Sequence, residues 1–126
     1  MLHSPLFEEI RNYLKTADPE KQIFLYVPYI KTKILDKLLK DIPNQVSIIT
    51  TWKTKDLISG SSDIKLYQWC KDNGYFLYIN KKIHLKVYSV NLDSAIVASG
   101  NISHNGLEGG KYESGAFVEK LTTQNR

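Results

Sequence analysis

The chain has 126 residues, 42% of them hydrophobic and 24% charged, and a formal net charge of +4 at pH 7. This length supports a single domain over residues 1–126, and the ordinary composition argues against disorder. The longest apolar run is too short to cross a bilayer and the first ten residues do not resemble a signal peptide, so we expect a cytoplasmic protein with no membrane contact and, from its charge, an anionic partner such as nucleic acid.

The first part of the chain alternates between strand and helix patterns. SPLFEEIRNYLK predicts a first helix with Ser4 as its N-cap and Pro5 at the first helical position. The elements that follow are a strand at 22–30, a helix at 31–42, a strand at 45–52, a polar loop with Gly60, Ser61 and Ser62, a helix at 62–74 and a strand at 75–80. This order predicts two crossover connections, and therefore three parallel strands covered by helices.

The last part of the chain has a different pattern. Two strand patterns, at 84–90 and 94–100, are joined by NLDS, which is typical of a hairpin turn. A loop or short helix and a last strand at 113–120 follow. The predicted fold class is therefore a single α/β domain with a mixed, partly parallel sheet flanked by helices.

Polar side chains that could take part in binding or catalysis lie in these later strands. The two-residue period of a strand sends His84 and Lys86 to one face. A buried ammonium group without a partner is costly, so this face opens to solvent or Lys86 meets an anion. Ser99 and Asn101 end the next strand, and pairing through the hairpin would bring them to the same edge of the sheet as His84.

These side chains suit a phosphate group. Lys86, Ser99 and Asn101 are hydrogen-bond donors for its oxygens, and His84 has a nucleophilic nitrogen near neutral pH. HLK followed by SGNIS resembles the HxK…GSxN signature of the phospholipase D superfamily. From about residue 22 to 120 the chain is similar to its nuclease-type branch, which includes small nucleases and metal-independent restriction endonucleases.

The resemblance implies a role for each residue. His84 would be the nucleophile that forms a phosphohistidine, Lys86 and Asn101 would hold the non-bridging phosphate oxygens, and Ser99 would support them. Glu113 stands where the family keeps a carboxylate that orients the histidine. Because one chain has a single HxK, a symmetric homodimer would supply the second histidine as general acid, and no metal or cofactor would be needed.

Two positions depart from the superfamily's pattern. Asn91 stands where an aspartate is often found, with Asp93 two residues further on in the predicted turn. Ala98 replaces the glycine before the serine. The restriction-endonuclease branch tolerates the loss of the aspartate, so the resemblance still implies an active site.

Further residues have both a functional and a structural interpretation. Lys53 and Lys55 follow a predicted strand and could contact nucleic-acid phosphates, or be solvated side chains. Trp52 and Tyr29 could stack on bases or cap the core.

The remaining histidines and the single cysteine favour structural interpretations. His3 fits a solvated terminal residue. His104 could lie near the predicted site, but it fits a loop residue better. Cys70 fits a core-facing position on a helix and supports neither an intramolecular disulfide nor a zinc site.

The predicted function is metal-independent cleavage of nucleic acid by a nuclease or by the catalytic domain of a restriction endonuclease. DNA is the favoured substrate. One alternative, motivated by Asn91, is a catalytically silent module that binds nucleic acid. A second is a lipid phosphodiesterase, which the lack of a membrane-binding helix disfavours. Sequence specificity would require a separate DNA-recognition domain or subunit, or a longer protein of which this chain is the catalytic fragment.

Overall fold

The computed structural model describes residues 1–60 and 63–120. Ser61, Ser62 and the terminal LTTQNR lie outside the described residues. The elements are β1 (Leu2–His3), α1 (Phe7–Lys15), β2 (Ile23–Tyr26), α2 (Thr32–Leu39), β3 (Val46–Thr50), α3 (Thr54–Ser59), α4 (Leu66–Asn73), β4 (Phe76–Ile79), β5 (Lys86–Val90), β6 (Ser94–Ala98), α5 (His104–Leu107) and β7 (Ser114–Glu119).

The described strands form one mixed sheet in the order β1-β7-β6-β5-β2-β3-β4. Strands β2, β3 and β4 are parallel, as the crossover pattern predicts, and β5 pairs antiparallel with both β2 and β6. The predicted fold class is therefore confirmed. Within the described ranges, no helix combines the length and apolarity that crossing a membrane requires.

The core lies on one face of the sheet. Leu25, Tyr88 and Ile96 lie side by side on adjacent strands and are at most 3% exposed. They belong to the same buried cluster as Ile10 of α1 and Leu35 of α2. Burial of each such large side chain stabilises the fold by roughly 1.5–3 kcal/mol.

The beginning of the chain differs from the prediction. Helix α1 begins at Phe7 with Leu6 as its N-cap residue, so the assignments of Ser4 as the N-cap and of Pro5 as the first helical residue are wrong. The preceding residues form β1 instead, which pairs with β7 and extends the sheet by one strand. Their backbone hydrogen bonds with a distant strand outweigh the local capping signal.

Two further boundaries affect the site. Helix α3 occupies part of the segment that we predicted to be a polar loop, and it ends at Gly60 with a φ of 82°. Strand β5 begins at Lys86, so His84 precedes the strand and is not part of it. The predicted helix end at Gly74 is confirmed, because this residue has the left-handed backbone of a C-cap.

Candidate functional site

A cavity of about 520 Å³ opens beside the segment that joins β6 to α5. It is hereafter the Asn101 cavity. Its lining includes Tyr29, Lys31, Ser99, Asn101, Asn105, Lys111 and Glu113. Three of the predicted site residues, Ser99, Asn101 and Glu113, therefore meet in one place.

Asn101 is oriented by backbone contacts. Its Oδ1 accepts a hydrogen bond from the backbone N–H of Tyr29 at 3.1 Å, and the N–H of Lys31 donates to the carbonyl oxygen of Ile102 at 2.7 Å. Because an N–H group can only donate, the Tyr29 contact fixes which side of the Asn101 amide is oxygen. Nδ2 has no hydrogen-bond partner among residues 1–60 and 63–120, and is thus available to donate to a ligand.

Two glycines allow the backbone around Asn101 to approach α5. A Cβ atom on Gly100 would lie 2.2 Å from the carbonyl oxygen of Gly106, and one on Gly106 would lie 2.0 Å from the carbonyl oxygen of Asn101. Ser103 caps α5, since its Oγ accepts a hydrogen bond from the N–H of Gly106 at 3.0 Å. The turn that presents Asn101 is therefore closely packed.

The loop that carries Glu113 is held from both sides. The N–H of Ser4 donates to the carbonyl oxygen of Glu113 at 2.9 Å, and the Oγ of Ser4 donates to that of Lys111 at 3.2 Å. On the other side, Ser99 Oγ donates to the carbonyl oxygen of Ser114 at 3.2 Å and accepts from its N–H at 3.0 Å. Ser99 thus fixes the strand beside Glu113 through its hydroxyl.

His3 takes part in the same region of the fold. Its Nδ1 lies 2.5 Å from the hydroxyl of Tyr112, the residue before Glu113. The side chain is exposed, as predicted for a terminal residue, but its hydrogen bond was not foreseen.

Tyr88 connects strand β5 to the backbone that precedes Asn101. Its fully buried hydroxyl donates to the carbonyl oxygen of Gly100 at 2.7 Å. Burial raises the pKa of the Tyr88 phenol, and the negative charge of Glu113 raises it further. Two positions earlier on the same strand, Lys86 is partly buried and pairs with Ala98.

His84 lies apart from the Asn101 cavity. It is exposed and lines a separate cavity of about 420 Å³ with Tyr26, Leu85 and Val87. Because Lys86 pairs with Ala98, an extension of the antiparallel register by two residues would place His84 level with Gly100. The backbone therefore runs toward the site, although the imidazole lines the other cavity.

Lys53 and Lys55 do not line the Asn101 cavity, and their contact with nucleic acid stays a prediction. Lys53 is the half-buried N-cap residue of α3 and Lys55 is exposed on that helix. Lys31 and Lys111 line the cavity instead. Lys31 had a detectable signal, because it follows the end of a predicted parallel strand, whereas Lys111 lies in a glycine-rich loop that has no such pattern.

The two aromatic residues at strand ends, Tyr29 and Trp52, have different surroundings. Tyr29 lines the Asn101 cavity, and its stacking on a base stays a prediction. Trp52 is half-buried and packs against the core, which agrees with its capping interpretation.

Cys70 and His104 have structural surroundings. Cys70 is buried in the core, and burial raises the pKa of its thiol to about 11. His104 begins α5 and its Nδ1 lies 3.3 Å from Glu108 Oε1. No three His, Cys, Asp or Glu side chains within the described residues form a group that could hold a metal ion.

Comparisons with known proteins show the fold. No protein-family model matches the sequence, and no curated protein is detectably similar to it in sequence. Among solved structures, Nuc from Salmonella typhimurium, a phospholipase D family member, is similar with a TM-score of 0.65 and 14% identity over 94% of this chain and 80% of that chain.

Two further structures are similar to the chain. NucT from Helicobacter pylori has a TM-score of 0.57 and 15% identity, with 95% of this chain and 83% of that chain covered. The archaeal chromatin protein TrmBL2, which shows a novel mode of DNA binding, has a TM-score of 0.58 and 16% identity over 95% of this chain and 45% of that chain. This chain has a phospholipase D-like fold.

Proposed function

We propose that the Asn101 cavity binds a phosphodiester group of nucleic acid and that the chain hydrolyses it. The observation that carries the proposal is the orientation of Asn101, whose Oδ1 accepts from Tyr29 while Nδ2 has no hydrogen-bond partner in the part of the chain that the structure describes. Lys31 and Lys111 line the same cavity and supply positive charge. The similarity of the fold to Nuc, a phospholipase D family member, supports a phosphodiester as the substrate, and the similarity to the DNA-binding chromatin protein TrmBL2 supports nucleic acid.

In the proposed reaction, a histidine nitrogen acts as the nucleophile. The imidazole of His84 attacks phosphorus, a P–N bond forms, and the P–O bond to the leaving oxygen breaks. A water molecule then attacks phosphorus, the P–N bond breaks, and the imidazole is released. For the first step His84 must turn from its own cavity toward Gly100, with which the register of β5 and β6 aligns it.

The other residues would position and stabilise the reacting groups. Asn101 and Lys86 would donate to the non-bridging oxygens, so that the charge that develops on them is neutralised. Glu113 would accept a hydrogen bond from the imidazole and orient it, and Ser99 would hold the adjoining strand through Ser114. None of these roles requires a metal ion.

A second copy of the chain would complete the site. The leaving oxygen needs a proton, and the partner subunit's His84 would supply it before accepting a proton from the attacking water. A two-fold dimer is the simplest arrangement that brings two equivalent histidines to one phosphate. Light scattering during size-exclusion chromatography would measure the mass, and the proposal expects that of two chains.

A cleavage assay tests the proposed function. Plasmid and single-stranded DNA would be incubated with the wild type, His84→Ala and Leu85→Ala in excess EDTA. Leu85 is a matched control because it is the exposed neighbour of His84 in the same segment. The proposal expects cleavage by the wild type and by Leu85→Ala, and none by His84→Ala; equal cleavage by all three would contradict it.

A nucleic-acid-binding module is the second candidate. The position of His84 in a separate cavity favours it, and so does the similarity of the fold to TrmBL2, described as a DNA-binding chromatin protein. A folded wild type that binds DNA without cleaving it, with equal affinity after His84→Ala, would establish this function in place of hydrolysis.

A further inference from the structure

A groove of about 660 Å³ lies between α2 and α5 and adjoins the Asn101 cavity. It is hereafter the α2–α5 groove. Its lining includes Lys31, Lys33, Lys37, Asp63, Asn105 and Glu108. Lys31 and Asn105 line both the groove and the Asn101 cavity, so a ligand can pass from one to the other along these two side chains.

The carboxylates of the groove already have partners. Glu108 binds the ammonium group of Lys37 and accepts from His104, and the hydrogen bond from Lys37 and the contact with His104 hold the pKa of Glu108 below its usual value. Asp63 accepts backbone hydrogen bonds from Thr32 at 3.0 Å and Lys65 at 2.9 Å. Burial acts to raise the pKa of Asp63, but these bonds and the charge of Lys31 outweigh it, so its pKa is lowered.

Two cations of the groove are left for a ligand. Within residues 1–60 and 63–120, neither Lys31 nor Lys33 forms an ion pair, whereas Lys37 is occupied by Glu108. Lys31 lies at the junction with the Asn101 cavity and Lys33 lies further along the groove, where it is exposed. These two ammonium groups form a short cationic path that leads away from Asn101.

We propose that a nucleic-acid strand bound at Asn101 continues past Lys31 into the α2–α5 groove, where Lys33 binds a flanking phosphate. This inference rests on the proposed function and names the path of its substrate. A single phosphate monoester or diester would occupy only the Asn101 cavity, since its one charged group is held there. A strand of several nucleotides carries regularly spaced charges and would use both sites.

The proposed contact between Lys33 and a flanking phosphate can be measured from the salt dependence of DNA binding. A fluorescent single-stranded DNA of about twelve nucleotides would be titrated in EDTA with His84→Ala as the parent protein, so that cleavage does not interfere. Lys33→Gln and Lys40→Gln would be compared in that background, because Lys40 is also exposed at the end of α2 but does not line the groove. Asn101→Asp, which keeps an acceptor for Tyr29 but adds a negative charge to the cavity, would be the third variant.

The expected result is a change in the slope of log K against log salt concentration. Lys33→Gln should lower the magnitude of the slope by about 0.7, the value for one phosphate contact to a single strand, and Lys40→Gln should leave it unchanged. Asn101→Asp should reduce binding of both the strand and a dinucleotide, whereas Lys33→Gln should affect only the strand.

The outcomes separate the two proposals. If Lys33→Gln has the same slope as Lys40→Gln while Asn101→Asp weakens binding, the path through the α2–α5 groove is wrong and the Asn101 cavity still binds phosphate. If Asn101→Asp binds the strand as its parent does, the proposed function fails, and the path that depends on it fails too.

Discussion

The hydroxyl of Tyr88 donates a 2.7 Å hydrogen bond to the carbonyl oxygen of Gly100, directly before Asn101. Tyr88 is fully buried on β5, and its phenol is close enough to Glu113 for that carboxylate to raise its pKa. One buried side chain therefore links the core of the sheet to the backbone beside Asn101 and to Glu113. The position of Asn101 depends on packing in the core as well as on the turn itself.

Replacement of Tyr88 by phenylalanine tests this link. Tyr88→Phe removes the donor and leaves the Gly100 carbonyl oxygen without that hydrogen bond, so we expect a loss of about 1–3 kcal/mol in the free energy of unfolding. Urea denaturation would measure it. Tyr78→Phe is the matched control, because Tyr78 is 53% exposed and its change should stay within about 0.5 kcal/mol; equal effects of the two would contradict the role of the hydrogen bond.

Gly106 should tolerate no side chain. In Gly106→Ala the new Cβ would lie 2.0 Å from the carbonyl oxygen of Asn101, so α5 or the turn must move and we expect a loss of at least about 2 kcal/mol. Gly74→Ala provides the comparison, since its Cβ would meet nothing within 4 Å and only its φ of 71° is unfavourable, at about 1–2 kcal/mol. Thermal unfolding that ranks Gly74→Ala as the more damaging change would argue against the close approach.

The buried thiol gives stability a dependence on pH. Burial raises the pKa of Cys70 from 9.0 to about 11, so the folded chain keeps the thiol neutral where the unfolded chain would ionise it. The unfolded state then binds fewer protons, and stability is fully present below pH 9 and falls as pH rises toward 11.

Cys70→Ala removes this titration. We expect the difference in unfolding free energy between wild type and Cys70→Ala to be constant below pH 9 and to shrink between pH 9 and 11. Urea denaturation across this range would measure it, and a difference that stays constant up to pH 11 would show that the thiol does not titrate in this way.

The strand β1 should order the loop that carries Glu113. Its backbone pairs with Ser114 and Gly115, and the N–H of Ser4 binds the carbonyl oxygen of Glu113. Deletion of residues 1–4 should therefore speed hydrogen exchange at amides 111–115 by tenfold or more, about 1.4 kcal/mol, and leave β2 and β3 unchanged. Uniform acceleration throughout the sheet would mean that β1 supports global stability instead.

Much of the fold was predictable because its signals are local. Continuous apolar strands between amphipathic helices fixed the parallel part of the sheet, and Asn73-Gly74 marked the end of α4. Strand β1 was not predictable, since two residues have no periodicity and their pairing with β7 depends on a contact more than a hundred residues away. Ser4 has a strong capping signal, but its hydrogen bonds to Lys111 and Glu113 are tertiary.

The candidate site shows the same division. Ser99 and Asn101 could be proposed from the strand pattern and Glu113 from the resemblance to the phospholipase D superfamily, and the structure brings the three together in one cavity. The lysines of that cavity, Lys31 and Lys111, come from distant segments whose approach depends on the fold. The place of His84 outside β5 was also unpredictable, because the strand pattern continues through it while the observed pairing begins at Lys86.

The central claim is that His84 acts on a phosphodiester bound at Asn101. The most direct test mixes the wild type with DNA in EDTA, stops the reaction without acid, and analyses the peptides by mass spectrometry. The account predicts that the peptide containing His84 carries a DNA fragment joined through its phosphorus to the imidazole, because only one of the two P–O ester bonds breaks in the first step. This adduct should be present in the wild type and missing in Asn101→Asp. Cleavage of DNA with no adduct at His84, or with an adduct at another residue, would contradict it.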